Sequence, residues 1–194
     1  MELLIAGLIV FLGVHMTRLL GIKQIVVNVI GDALFAVFYS IISVIGFVLI
    51  IYGHILAHPS DIVWYPPEWT RMLALVAVPI SLILIVATYV PCHIRAFVRH
   101  PMSLGVFLWS SSHFLANGEI ASMVLFGAFF VWSALLLIEG YARGGAFAYA
   151  GRWSSDLIVI AVGLLVSAAL TYFHMQLFGV AIIEFASEPV PPGI

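Results

Sequence analysis

Polar residues are spaced along this chain so that six long apolar runs lie between them, at 3–20, 33–56, 72–90, 102–116, 120–138 and 157–180. None alternates apolar with polar residues in segments of about ten, the pattern of a membrane β-barrel. Near-continuous apolar runs of this length predict helices, since about 20 residues cross about 30 Å of hydrocarbon. The fourth run is short and rich in serine, and Pro79 inside the third predicts a kink. The expected architecture is one domain over residues 1–194, an all-α integral membrane bundle of six transmembrane helices.

Composition turns this pattern into a class. Of 194 residues, 64% are hydrophobic and only 8% are charged, against about 25% charged in soluble domains. So little charge excludes a cytosolic globular enzyme and a disordered chain. A net charge of −2 gives no basic patch for a nucleic acid. The lone Cys92 excludes a disulfide framework and a cysteine-based zinc site. The expected partner is the lipid bilayer.

The loops give an orientation. Arg18 and Lys23 follow the first run, Arg95 and Arg99 lie between the third and fourth, and Arg143 and Arg152 lie between the fifth and sixth. With six alternating helices these connections share one side. Glu2, Asp61, Glu68, Glu119, Glu184 and Glu188 share the other, with Arg71 at its border. The positive-inside rule makes the basic side cytoplasmic and places both termini outside. Glu2 stands where a signal peptide needs basic residues, so the first run reads as a span. Trp64, Tyr65 and Trp69, among Pro59, Pro66 and Pro67, read as an interfacial loop or as a lid over a lipid-side cavity. Gly144, Gly145 and Gly151 loosen the connection between the last two spans, and the proline-rich tail is expected to fray.

Seven histidines among so few polar residues carry the candidate chemistry, because ionisable groups inside a membrane are costly and mark functional interiors. His93 and His100 fall at cytoplasmic helix ends. His54, His58 and His174 fall at outer ends. Only His15 and His113 have apolar sequence on both sides. His100 precedes Pro101, a helix-start signal, and stands about 140° around the axis from His113. His54 and His58, at i and i+4, share a face and read as half a metal site or a solvated pair. There is no HExxH, CxxC, GxSxG, Walker loop or GxGxxG. Two histidines on different helices suit axial ligation of a haem or a pair of hydrogen-bonded pins between helices.

A resemblance sharpens the choice. The segments FLGVHMTR (11–18), YSIISVIGF (39–47), WYPPEWTRMLAL (64–75), ATYVPCHIRAFVRHPMSLGVFLWSSSHFLANGEIASMVLFGAFF (87–130) and FHMQLFGV (173–180) resemble the NnrU family of bacterial membrane proteins over nearly the whole chain. That family is similar to 15-cis-ζ-carotene isomerase, a membrane haem b enzyme with two histidine ligands that acts in the ferrous state. NnrU proteins are named for an association with nitrite and nitric oxide metabolism. The resemblance implies a bacterial inner-membrane protein with haem b as cofactor, and His15 and His113 as metal ligands and catalytic residues. It places two further family histidines on His100 and His174, and makes His15 with His100 the alternative pair. Helix counting sets His15 toward the cytoplasmic side and His113 toward the outer side, so joint ligation needs a tilted haem or a displaced helix.

The implied reaction is cis–trans isomerisation of a polyene, gated by displacement of one histidine on reduction. It needs a hydrophobic small-molecule substrate and a redox partner. Arg18, Arg95 and Arg99 are candidates for haem propionates and equally for positive-inside anchors. Trp109 and Phe114 read first as lipid-facing or packing residues, with porphyrin stacking as the alternative. The alternatives are a haem-binding sensor or assembly factor and an S-adenosylmethionine-dependent methyltransferase. The last rests on RHPMSLG (99–105), which is similar to the RHPxYxG stretch of membrane methyltransferases. Here Leu104 or Ser103 stands in place of their Tyr, and a single Glu139 in place of their acidic pair.

Overall fold

The computed structural model describes residues 1–17, 19–144, 151–179 and 182. They form α1 (Glu2–Met16), α2 (Ile22–Ile30), α3 (Asp32–Ala57), α4 (Glu68–Ala87), α5 (His93–Val98), α6 (Pro101–Ala116), α7 (Ile120–Arg143), α8 (Trp153–Tyr172) and α9 (His174–Phe178). No strand forms among them. Arg18, residues 145–150 and the proline-rich tail lie outside the described residues.

Four helices, α3, α4, α7 and α8, are long and apolar enough to cross a membrane. The other two expected spans are shorter. α1 has 15 residues and α6 has 16, rising about 22 and 24 Å against about 30 Å of hydrocarbon. The first run does not continue to residue 20. Its helix stops at Met16, and Gly21, at φ 72°, starts the separate nine-residue α2, where the sequence suggested a loop. α2 is amphipathic. Ile25 and Val29 are exposed on one side, and Gln24 and Asn28 pair on another. The last run likewise breaks at Phe173, and α9 is a separate five-residue helix.

α7 is the centre of the bundle. It packs against α6, α1 and α3, while α6 joins it to α4, and α4 carries α8 on its far side. The main core is Leu4, Leu8, Ile50, Ala121, Leu125, Phe126 and Phe129, a continuous apolar interior across α1, α3 and α7. A smaller cluster of Ala87, Cys92 and Val159 joins the far end of α4 to α8. α3 and α8 leave rows of large apolar side chains exposed, Phe38, Ile41, Val44 and Val48 on α3 and Leu157, Leu164 and Leu165 on α8. Surfaces of that size suit lipid and not water.

α1 and α3 meet almost backbone to backbone. A Cβ on Gly46 would lie 2.8 Å from the Phe11 nitrogen, and one on Gly7 would lie 2.6 Å from the Ile50 nitrogen. Small residues at such crossings are how membrane helices gain close van der Waals contact. α4 continues through Pro79, and the buried Ser81 hydroxyl donates to the Gly105 carbonyl on α6 at 2.7 Å.

The aromatic connection after α3 is tied down. Val63 N–H donates to the Gly118 carbonyl at 2.8 Å, and Ile120 N–H donates to the Asp61 carbonyl at 3.0 Å. Trp64 Nε1–H donates to the Asn117 carbonyl at 3.1 Å. The connection is therefore a strap bonded across the α6–α7 turn.

Candidate functional site

His15 occupies the last turn of α1. Its Nδ1 lies 2.6 Å from the Phe11 carbonyl, one helical turn back. A carbonyl only accepts, so Nδ1 carries the proton and Nε2 is left with its lone pair. The ring stacks on Phe11 at 4.2 Å, with Tyr39 of α3 at 5.1 Å and Trp132 of α7 edge-on at 5.9 Å. Trp132 Nε1 is the one buried side-chain nitrogen or oxygen among the described residues that has no hydrogen-bond partner.

His113 repeats the device on α6. Its Nδ1 lies 2.9 Å from the Trp109 carbonyl, which fixes the same tautomer. Its ring packs against Phe126 at 4.7 Å and Trp109 at 5.5 Å. In both cases the group holding the imidazole is the carbonyl four residues back, on the same helix face. A partner on a neighbouring helix is not needed. Histidines that bind metals commonly donate the other ring N–H in this way, which orients the ring and raises the basicity of the free nitrogen.

The two imidazoles meet α7 at different levels. His113 touches α7 at Phe126 and His15 touches it at Trp132, six residues or about 9 Å along the axis. Phe129 fills the interval, packed on Trp109 at 5.4 Å and on Phe11 at 5.7 Å.

His54 and His113 both lie within electrostatic range of His174, at the start of α9. His54 is not solvated. It is 8% exposed, and its Nε2 lies 3.2 Å from the Ser122 hydroxyl. His58 stacks near it at 4.3 Å and reaches the Glu119 carboxylate at 3.2 Å. Glu119 Oε2 also accepts from Ser60 N–H at 3.1 Å and from the Ser60 hydroxyl at 3.2 Å. This knot joins the end of α3 to the start of α7. No group of three or more His, Cys, Asp or Glu among the described residues is arranged to hold a metal ion.

The remaining candidates are dispersed. His100 caps α6, and its ring lies where a Cβ on Gly140 would stand, 2.8 Å from His100 Cε1. Tyr141 packs edge-on to it at 5.1 Å and donates its hydroxyl to the Val98 carbonyl at 3.0 Å. The Arg99–His100–Pro101 turn, with Arg99 at φ 64°, is thus a joint between α5, α6 and α7. Arg95 and Arg99 belong to α5 and its C-cap. Among the described residues α5 packs on α4, α6 and α8. Arg18 lies outside the described residues. Trp109 and Phe114 pack inward with the core.

One pairing had no sequence signal. The buried Asp156 of α8 accepts from His93 Nδ1–H at 2.5 Å and from Ile94 N–H at 3.2 Å, which latches α5 to α8. The 63 residues between the partners leave no local pattern to read. Trp132 and Tyr39 beside His15 were equally silent, while Phe11 could have been found by counting back four.

The family profile described as NnrU protein matches residues 3–182. The chain belongs to the NnrU family. Neither a curated protein nor a solved structure gives a significant match. In this NnrU protein the matched span contains the carbonyl-tied imidazoles of α1 and α6, and that of His58 at the end of α3, together with α7.

Proposed function

We propose that this NnrU protein binds haem b through His15 in a bacterial inner membrane, crossing it six times with both termini outside. One observation carries the reading. His15 has its N–H committed to the Phe11 carbonyl and its Nε2 lone pair free, beside a buried indole N–H with no partner. An imidazole so oriented is the donor an iron centre takes, and the orphan N–H suits a ligand bearing an acceptor. Joint ligation with His113 is the paired form of the same reading, and the two rings meet α7 six residues apart, at Trp132 and Phe126.

Bound haem would supply a redox-active iron able to polarise a conjugated double bond. The chain's own part is to orient Nε2, to keep water out with Phe11, Phe129 and Trp132, and to present apolar flanks on α3 and α8 to lipid. A membrane-dissolved polyene reaches such flanks without leaving the bilayer, which supports redox-gated cis–trans isomerisation. The second reading is a haem-binding sensor or assembly factor in nitrite and nitric oxide metabolism. The single imidazole at His15 favours it, because a second face of the iron then stays open to a small ligand.

The test is haem content and spin state in membranes for all seven single His→Ala variants. His15→Ala is expected to lose haem, whereas His54→Ala and His58→Ala retain it. His113→Ala retains it under single-histidine ligation. Loss in His113→Ala as well would require the paired arrangement, and unchanged spectra in His15→Ala would reject the assignment.

A further inference from the structure

The strap after α3 begins with a contact that a neutral histidine does not complete. His58, the C-cap of α3, has each ring nitrogen against an oxygen that only accepts. Nδ1 lies 3.2 Å from the His54 carbonyl oxygen, and Nε2 lies 3.2 Å from Glu119 Oε2. A neutral imidazole carries one N–H and one lone pair, whereas the imidazolium carries two N–H groups. The neutral ring therefore turns a lone pair toward a carbonyl or toward a carboxylate. The protonated ring suits both.

Glu119 is also where the strap is fastened. Its Oε2 accepts from Ser60 N–H and from the Ser60 hydroxyl, whose oxygen accepts in turn from Ala121 N–H at 3.1 Å. The Val63 and Ile120 hydrogen bonds continue the seam toward Trp64. Other titratable groups share this end of the bundle. His54 stands one turn back with its Nε2 on Ser122, His174 begins α9, Asp61 lies in the strap and Glu68 just past it. Glu2 starts α1, whose Leu3 and Leu4 lie against Gly53. Glu119 is the carboxylate that reaches the His58 ring.

We propose that His58 and Glu119 form a proton-operated latch that holds the strap at 57–67 to the α6–α7 turn. The latch is closed while His58 carries two ring protons and loosens as one is lost. It stands apart from the haem reading. Carboxylates stay ionised above about pH 5.5, so the response falls where histidines titrate, with the strap firmest on the acid side and looser as pH rises. Release also moves one wall of the cavity of about 320 Å³ that His58 and Pro59 share with Ile55, Phe178 and Gly179. On the six-crossing reading this end faces outside, and the latch senses the pH there.

The experiment is hydrogen–deuterium exchange of the full-length protein in nanodiscs at pH 5.5 and 8.5, corrected for the intrinsic pH dependence of amide exchange. The amides read are those of Ser60, Val63, Ile120 and Ala121. Both side chains are partly exposed, which limits the pair to about a two- to fivefold effect. Wild-type protection at these amides should fall by that factor from pH 5.5 to 8.5, with α8 unchanged. His58→Gln has no ring to titrate and should be equally protected at both pH values. Glu119→Gln can turn an N–H toward the neutral His58 Nε2. It should also remove the loss at pH 8.5, and it covers the case in which His58→Gln misfolds. His174→Gln should respond as the wild type does. Equal wild-type protection at the two pH values overturns the proposal. So does a pH response that survives in either folded latch variant, or one that disappears in His174→Gln.

Discussion

Replacing Gly46 by Ala places a methyl group where α1 and α3 leave no room. The new Cβ would lie 2.8 Å from the Phe11 nitrogen and 2.9 Å from its Cα and Cβ. Ordinary heavy-atom contacts sit at about 3.5–4.0 Å, so the helices must separate by roughly 0.7–1 Å at this level. The obstacle is backbone, which cannot rotate away. Overpacking of this kind costs about 1–3 kcal/mol. Gly13, also on α1, has nothing within 4 Å of its Cβ position. Gly13→Ala is therefore the control, expected to be neutral or stabilising by up to about 1 kcal/mol. The assay is reversible unfolding in mixed micelles followed by circular dichroism. The same shift displaces Phe11, whose carbonyl fixes the His15 tautomer at 2.6 Å, so Gly46→Ala should also weaken haem binding. A Gly46→Ala protein within about 0.5 kcal/mol of wild type, the usual range for uneventful surface changes, would refute the close-contact argument.

Glu119→Ala removes the acceptor shared by His58 and the two Ser60 donors. It should cost about 1–3 kcal/mol in the same assay and leave haem content unchanged. Gly140→Ala drives a methyl into the His100 ring. It should lower thermal stability, with part of the loss recovered in Gly140→Ala combined with His100→Ala. Asp156→Ala breaks the α5–α8 latch. It should speed proteolysis near residues 93–99 and leave the strap at 57–67 unaffected. Reporter fusions after Lys23 and Arg143 should read cytoplasmic. A cytoplasmic reading after Glu188 would sink the six-crossing topology.

Long apolar runs announced the helices because a span is a local, length-limited property. The runs at 33–56 and 102–116 became Asp32–Ala57 and Pro101–Ala116 almost unchanged. α2 was hidden because nine residues with Lys23, Gln24 and Asn28 are too short and polar to resemble a crossing. The break at Met16 was hidden because Leu19 and Leu20, just past Thr17 and Arg18, read as the end of the same run while the helix does not continue to them. At the candidate site, depth along each helix was legible and rotation was not. His15 and His113 stood out by their apolar neighbours, but which ring meets Trp132 and which meets Phe126 depends on how α7 turns between α1 and α6. The tautomers follow a rule internal to each helix, the reach from a residue to the carbonyl four before it. The Asp156–His93 and Glu119–His58 pairs are contacts across the fold that one sequence does not encode locally.

The shortness of α1 and α6 bears on the surrounding lipid. Both flank α7, which at 24 residues rises about 36 Å, so the bundle carries two low walls beside a tall one. A bilayer meeting short walls thins to cover them, at a fraction of a kcal/mol per Å of mismatch. The leaflet should therefore dip where α1 ends, and that corner is one residue beyond His15. On the six-crossing reading, membranes of longer acyl chains should stretch this corner and make the His15 site sensitive to bilayer thickness.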